Sequence, residues 1–379
     1  MVVLCAFLSL YVVPVLADTE SSTEKKSQEE PEIKDKKLFK GKWLPIPIFI
    51  TEPAFGYGLG MSLGYIHRQE GKRETLSRFE TPASVSKKGS GRKPPPDITG
   101  VAAGYTEKET WFVAGGHSAS WRKDTIRYKG ALMYADVKST YYILDRPFDF
   151  NLLGFALYQD LKFRLGKSDF FLGGKLLYLE TESAFKLNFR GDTEIVIGDI
   201  ESRNVGIALD ASYDRRDNTF TPNSGQLIQL SLWRHDEGLG GDYNYWKGSF
   251  KALSFHQLHA RFVLGLRLEG SGVDGRPPFY AYPWVSLRGI PALRYQGKRV
   301  GMIEAEGRWN ILPRWALLGF VGTGQVYGDD PALNTQDNIV AGGVGGRYLF
   351  MPEQSLWLGL DVARGPEATY VYITVGHAW

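Results

Sequence analysis

The chain has 379 residues, of which 43% are hydrophobic and 23% charged, and a formal net charge of +3. The hydrophobic fraction excludes a disordered chain, and 45 basic against 42 acidic residues give no basic surface for nucleic acid. The single cysteine, Cys5, excludes a disulfide framework, a Cys-x-x-Cys zinc site and a cysteine nucleophile downstream.

The N-terminus has two predicted parts. Residues 1–17 carry no charge and end in Val15-Leu16-Ala17, which predicts a secretory signal peptide. A membrane anchor is the alternative, but the apolar run is shorter than the roughly 20 residues of a spanning helix. Residues 18–42 mix charges and contain few apolar residues, so we expect a disordered periplasmic tether.

From Trp43 onward, apolar and polar residues alternate. In the segment LHARFVLGLRLEG, for example, Phe262, Leu264 and Leu266 face one way and Arg267 the other. A period of two indicates a strand with one apolar face. A soluble sandwich shows the same pattern. However, runs of 11 to 15 residues exceed the length usual in soluble strands and favour tilted strands that cross a bilayer.

The fold class predicted for 43–379 is all-β, a transmembrane antiparallel barrel of about 16 strands, an even number as in single-chain outer-membrane barrels. The strands lie near 44–52, 55–67, 97–106, 109–121, 124–137, 150–165, 168–182, 202–214, 224–236, 241–254, 258–270, 299–311, 314–327, 337–350, 354–364 and 368–379. With both termini in the periplasm, 183–201 and 271–298 become long outer loops. Tryptophans near strand ends are typical of interfacial girdles: Trp111, Trp121, Trp309, Trp315 and Trp357.

One connector departs from the rule that periplasmic turns are short. Residues 68–96 are long, basic and disordered in composition. They are interpreted either as a solvated insertion or as a docking site for an acidic partner or lipid phosphates.

Residues 213–225, YDRRDNTFTPNSG, follow the eighth strand. Asp and Asn accept backbone hydrogen bonds, Pro222 stiffens the chain and Gly225 permits positive φ, so a well-formed hairpin turn explains them. The segment also resembles the YDxRDNxxxPxxG signature of the bacterial surface antigen family, the BamA/TamA type of outer-membrane assembly factors. The matching residues are Tyr213, Asp214, Arg216, Asp217 and Gly225.

The long loop 271–298 carries the same resemblance. Leu287-Arg288-Gly289-Ile290 is similar to the family's (V/L)RG(F/Y) element, and the resemblance implies that the loop folds into the barrel lumen. Glu304 and Glu306 share one face of the next strand, and two inward carboxylates need a cation. We therefore predict that Arg288 pairs with Glu306, with Glu304 as second choice. The alternative is that Arg288 is an exposed loop residue.

The next strand departs from the family. Where the family has FxDxG, this chain has Phe320-Val321-Gly322-Thr323-Gly324, with Gly322 at the aspartate position. Either the loop is held more weakly, or Asp361, inward by alternation on the fifteenth strand, replaces the missing acid.

The C-terminus resembles the signal by which outer-membrane barrels are recognised for assembly. Its residues are Thr374, Gly376 and Trp379, and alternation places Trp379 outward. The resemblance implies location in the bacterial outer membrane, with outer-membrane lipid and unfolded barrel clients or a periplasmic protein as partners.

No client-binding POTRA domain fits into 18–42, so a barrel-only relative is expected. The first function hypothesis is protein or lipid insertion or translocation through a lumen lid and a lateral seam. The second is a porin-like channel in which inward Arg261, Arg267, Lys129, Glu304 and Glu306 set ion preference. No catalytic residue, metal site, cofactor or nucleic-acid partner is predicted, and an outer-membrane enzyme is the third and weakest hypothesis.

Overall fold

The computed structural model describes residues 42–67, 95, 97–143, 146–189, 193–219, 221–328, 338–352 and 356–379. The strands are β1 (Lys42–Ile50), β2 (Gly58–Ile66), β3 (Ile98–Thr106), β4 (Trp111–Trp121), β5 (Ile126–Ile143), β6 (Arg146–Arg164), β7 (Phe170–Phe189), β8 (Thr193–Asp214), β9 (Gly225–His235), β10 (Tyr245–His259), β11 (Phe262–Gly275), β12 (Arg299–Leu312), β13 (Trp315–Tyr327), β14 (Ile339–Met351), β15 (Leu356–Arg364) and β16 (Thr369–Val375). Two 3-10 helices, Glu237–Leu239 and Phe279–Ala281, lie in connections. Within these described ranges, neither they nor any other helix could cross a membrane.

Each strand pairs antiparallel with its neighbours in the chain, in the unbroken order β1 to β16. The sheet forms a nearly closed barrel, which confirms the predicted fold class. Successive side chains of a strand point to opposite faces, and β13 shows the result: Leu317 and Val321 are exposed on the outer wall, whereas Leu318 and Phe320 are buried inside.

Two predicted loops are largely strand. The prediction of a long loop over 183–201 is wrong, because β7 continues to Phe189 and β8 begins at Thr193. Strands β5 and β6 likewise extend to Ile143 and from Arg146. Beyond the bilayer a strand needs no apolar outer face, so the period-two signal fades while backbone pairing continues.

The β10–β11 hairpin lies about five residues later than predicted. Strand β10 ends at His259 and β11 extends to Gly275. The turn was predicted too early because the polar residues at the end of β10 resemble a turn in the sequence. Arg261 therefore lies in an exposed turn and not on the inner wall. Residues 271–275 belong to β11, which shortens the predicted loop to 276–298.

The outer wall carries exposed tryptophans at strand ends. Trp121, Trp309 and Trp315 are each about half exposed there, and Trp111 contacts the ring of exposed Tyr134. Trp357 is the exception, because it is buried inside the barrel against Ala316 and Leu349. The girdle prediction is thus wrong for that residue.

We call the gap between β1 and β16 the seam. Among the described residues no hydrogen-bond ladder joins these two strands. The backbone N–H of Ile373 donates to Thr51 Oγ1 at 3.4 Å, which places the end of β1 beside β16. The barrel is therefore closed by contacts other than strand pairing.

Several predicted segments lie outside the described residues. These are the signal peptide 1–17, the tether 18–42 except Lys42, which begins β1, and nearly all of the basic connector 68–96.

Candidate functional site

The connection between β11 and β12, residues 276–298, lies inside the barrel and is called the lumen loop. A bridge between Trp284 and Gln296 holds its two arms together. Three of its residues are at most 1% exposed: Ala281, Val285 and Tyr295. A loop can be buried this completely only if the barrel wall surrounds it. The loop therefore fills the lumen.

The first arm docks on the wall formed by β4 to β10. Phe279 lies within 5.0–5.3 Å, ring centre to ring centre, of Tyr141, Phe150 and Phe185. Ala281 is fully buried, and its carbonyl accepts a hydrogen bond from Lys247 Nζ at 3.0 Å. An aromatic cluster of this kind stabilises the arm by apolar burial and edge-to-face ring contacts.

Arg288 anchors the second arm. Its Nη2 lies 2.7 Å from carboxylate oxygens of both Glu304 and Glu306 on β12, and its Nη1 lies 3.0 Å from Asp361 Oδ2 on β15. The guanidinium carbon lies 3.5 Å from the ring centre of Phe320. The structure thus brings Arg288 together with the predicted first and second partners and with Asp361.

The carboxylates around Arg288 are shared with further cations on the wall. Glu304 accepts from Arg267 Nη1 at 3.0 Å, and Asp361 is paired with Arg347. All these side chains are at most 9% exposed. A buried charge is costly unless it is paired, so the row of alternating charges makes burial of each member possible.

Gly322 and Gly324 on β13 make room for the lumen loop. A Cβ at Gly322 would lie 2.9 Å from Leu287 Cδ2, and one at Gly324 would lie 2.5 Å from Val285 Cγ1. Gly322 therefore seats an apolar loop residue where the family carries an aspartate. Asp361 supplies the third carboxylate to Arg288 from another strand, which agrees with the alternative given for this position.

Gly289 is the next residue of the loop and has φ near +98°. A Cβ there would lie 3.0 Å from the backbone of both Arg364 and Gly365, so the close approach requires glycine. Its N–H donates to Tyr372 Oη on β16 at 3.0 Å. The motif residues thus dock the loop on the last two strands.

The turn motif, residues 213–225, lies at the end of the barrel that carries the C-terminus. The Asp214 carboxylate accepts from Arg127 Nη1 at 2.8 Å and Arg216 Nε at 3.0 Å. Asp217 accepts backbone N–H groups within the turn, at 3.0 Å for Asn223. These contacts make the motif a fixed hairpin turn.

Two more motif residues complete that turn. Gly225 has φ near +99°, where a Cβ would collide with the carbonyl of Arg215. The Tyr213 ring lies 4.8 Å from that of Phe170. Arg308 on β12 donates to Pro222 O at 3.2 Å, so the turn contacts the same strand that carries Glu304 and Glu306.

The C-terminal residues depart from the predicted orientation. Thr374 faces inward as expected, but at Gly376 the chain takes φ near +81° and leaves the strand direction. The Trp379 ring then lies inside, 6.1 Å from the Phe255 ring and against Gly265. The outward orientation of Trp379 was therefore wrong, and the assembly-signal role of Thr374, Gly376 and Trp379 stays a prediction.

Two contacts of the loop were missed in the sequence. Glu52, after β1, accepts the N–H of Ala292 at 2.8 Å, and Glu367, between β15 and β16, accepts from Tyr295 Oη at 3.1 Å. Neither acid lies in a motif, and alternation says nothing about connections. Across the described ranges, no group of three or more His, Cys, Asp or Glu is arranged to hold a metal ion.

No protein-family model and no curated protein matches the chain. Among solved structures, BamA from Haemophilus ducreyi lacking POTRA domains 1–3 is similar with a TM-score of 0.57 and 11% identity, over 89% of this chain and 70% of that one. CdiB from Escherichia coli has a TM-score of 0.59 and 12% identity, over 92% and 63%. CdiB from Acinetobacter baumannii has 0.55 and 14%, over 88% and 59%.

The chain thus spans less than two thirds of either CdiB chain. At these identities the likeness shows the fold, and it agrees with the barrel and the outer-membrane location that the sequence predicts. The chain has the β-barrel fold shared by BamA and CdiB.

Proposed function

We propose that this barrel assists the insertion or translocation of proteins or lipids at the bacterial outer membrane. The observation that carries the proposal is the lumen loop, which fills the barrel and is pinned to its wall by Arg288. A filled lumen suits a protein that works at its lipid-facing seam. The resemblance to the BamA/TamA type of assembly factors supports the same conclusion.

The seam is the second support. Strand β1 contains Pro45 and Pro47, which lack N–H donors, and β16 is only seven residues long. Both features limit the hydrogen bonds that could join β1 to β16. A weakly joined seam gives a passive pore no advantage, whereas lateral insertion requires one.

A porin-like channel is less well supported. Of the residues expected to set ion preference, Arg267, Glu304 and Glu306 are buried in ion pairs with one another or with the lumen loop. Arg261 lies in an exposed turn. These side chains therefore do not face an open aqueous path.

The proposed role is not enzymatic, and the proposed partners are outer-membrane lipid and either unfolded barrel clients or a periplasmic protein. Nucleic acid is not among them, since the net charge of +3 offers no strongly basic surface.

Planar-bilayer conductance tests the filled lumen. Wild type, Arg288→Ala and a variant with 277–297 replaced by a short glycine linker should be compared. We expect small, flickering conductance in the wild type and larger, steadier conductance in both variants. Large, steady conductance in all three would contradict the proposal and favour the channel.

A crosslink tests the seam. The structure brings Thr51, after β1, beside Ile373 on β16. Cysteines at these two positions, joined by a short bifunctional reagent, should abolish insertion of an unfolded barrel client into lipid vesicles.

The matched control joins Leu230 to Phe250, which face each other in the intact β9–β10 ladder. That crosslink should leave insertion unchanged. Equal activity of the two crosslinked proteins would contradict a role for the seam.

A further inference from the structure

The lumen loop contacts both sides of the seam. On the β16 side, the N–H of Gly289 donates to Tyr372 Oη at 3.0 Å. On the β1 side, the N–H of Ala292 donates to Glu52 Oε1 at 2.8 Å. Only three positions separate the two donors, so this segment of the loop extends from one side of the seam to the other.

Apolar and ionic contacts accompany the two hydrogen bonds. Ala292 and Leu293 are buried in one cluster with Ala54 and Phe55, which follow β1. On the other side, Glu367 between β15 and β16 is paired with Arg294. The segment is therefore attached to each side by more than one kind of interaction.

Direct contact between the two seam strands is slight by comparison. The hydrogen bond from Ile373 N–H to Thr51 Oγ1 is 3.4 Å long, and no ladder joins the strands within the described ranges. A bond of that length contributes little compared with the shorter contacts of the loop.

We propose that residues 288–295 form a strap that holds the seam closed, with Glu52 and Tyr372 as the positioning residues at its two ends. The biological purpose of the strap rests on the proposed function, but the contacts that form the strap do not. Because Arg288 belongs to the strap, release of the lumen loop from the wall and opening of the seam are one event. The protein thus needs no separate gate for the lumen and for the seam.

The strap has a direct consequence for a client. A polypeptide or lipid that displaces the loop from Glu52 or Tyr372 removes the main attachment between β1 and β16. Conversely, in the absence of a client the loop stays docked and the seam stays closed, which limits damage to the surrounding bilayer.

Distance measurements between spin labels test the strap without any insertion assay. In a Cys5→Ser background, labels replace Phe49 on β1 and Val371 on β16, which face outward and are 38% and 40% exposed. The wild type should give one narrow, short distance distribution. Glu52→Ala and Tyr372→Phe should each add a longer-distance population at least several-fold larger than any in the wild type.

Glu52→Gln separates the strap from a general structural role. The glutamine carbonyl can still accept the Ala292 N–H, so this variant should keep the wild-type distribution. The matched control is Asp236→Ala, because Asp236 also accepts a backbone N–H in a connection, that of Gly238 at 2.8 Å, but lies between β9 and β10. It should leave the seam distance unchanged.

Unchanged seam distances in both Glu52→Ala and Tyr372→Phe would overturn the strap, as would an equal change in Asp236→Ala. Labels at Leu230 and Phe250 on the β9–β10 ladder report whether a variant has lost the barrel. Failure of the proposed function would look different. The wild type would then not insert a client, whereas the strap variants would still lengthen the seam distance.

Discussion

Strands β5 to β8, on the far side of the barrel, are 18 to 22 residues long, whereas β1 to β3, β15 and β16, which flank the seam, have 7 to 9. The far wall has long antiparallel ladders, and β5 and β6 pair without interruption from Ile126 and Phe163 to Ile143 and Arg146. The seam wall has no ladder between its two end strands in the described ranges. Backbone ladders thus join every strand of the far wall to its neighbours, whereas the two end strands at the seam are joined through contacts with the lumen loop.

The comparison teaches where local stability should reside. A strand paired on both sides can separate from its neighbours only when much of the sheet unfolds, whereas strands held together by a loop separate when that loop leaves. Substitutions at 288–295 of the loop should therefore affect the seam wall selectively, and substitutions in the far wall should not affect it.

Arg288→Ala should have the largest effect. It leaves Glu304, Glu306 and Asp361 without their shared cation from the loop, and breaking a buried pair costs about 3–5 kcal/mol of unfolding free energy. Urea unfolding in detergent micelles measures the loss. Amide hydrogen exchange should become faster in β15 and β16, with β6 and β7 unchanged.

Asp210→Ala provides the matched control on the far wall. Asp210 is fully buried, lies 2.6 Å from Lys162 Nζ and is also paired with Lys175. Its loss should reduce stability by a similar amount, about 3–5 kcal/mol, but leave exchange in β16 unchanged. Faster exchange in β16 in both variants would show that the two walls are not independent.

The same contrast explains what could be predicted from sequence. Inside the bilayer a strand must present an apolar outer face, so alternation located sixteen strands and placed Glu304 and Glu306 on one inner face. The same rule placed Asp361 inward, within reach of Arg288. Where strands leave the bilayer, as at 183–189 of β7 and 193–200 of β8, the pattern no longer predicts them.

Contacts made by connections were beyond sequence reasoning. The path of the lumen loop depends on its three-dimensional docking, so neither Glu52 nor Glu367 could be assigned as its partner. The same holds for Trp379, whose inward position follows from a backbone turn at Gly376 and not from strand periodicity.

Gly322→Ala should have an intermediate effect. The added Cβ would lie 2.9 Å from Leu287 Cδ2 and 3.0 Å from the carbonyl oxygen of Ile303, and overpacking of this kind costs about 1–3 kcal/mol. Gly319→Ala on the same strand is the control, because its Cβ would come no closer than 4.0 Å to Gly343. Equal unfolding midpoints in urea would show that the loop does not depend on the space at Gly322.

The smallest effect concerns the pH dependence of the seam. Removal from water raises the pKa of the Glu52 carboxyl from 4.5 to about 7, although the N–H groups of Ala292 and Ala54 and the Lys108 ammonium lower it. Tyr370 and Tyr372 on β16 interact with Glu52 across the seam, and Tyr57 and Glu367 are further titratable groups nearby. Because the folded pKa is raised, the contribution of Glu52 is full below pH 4.5 and is lost as the pH rises through 7.

The seam should therefore be more open at pH 8 than at pH 6. The change should correspond to less than about 1 kcal/mol, since Glu52 is only half-buried and its charge is screened. Spin labels at positions 49 and 371 measure the shift, and Glu52→Gln, which keeps the acceptor but cannot ionise, should abolish it. If the seam of the glutamine variant still opens with rising pH, ionisation of Glu52 is not the cause. Another ionisable group then controls the pH dependence of the seam.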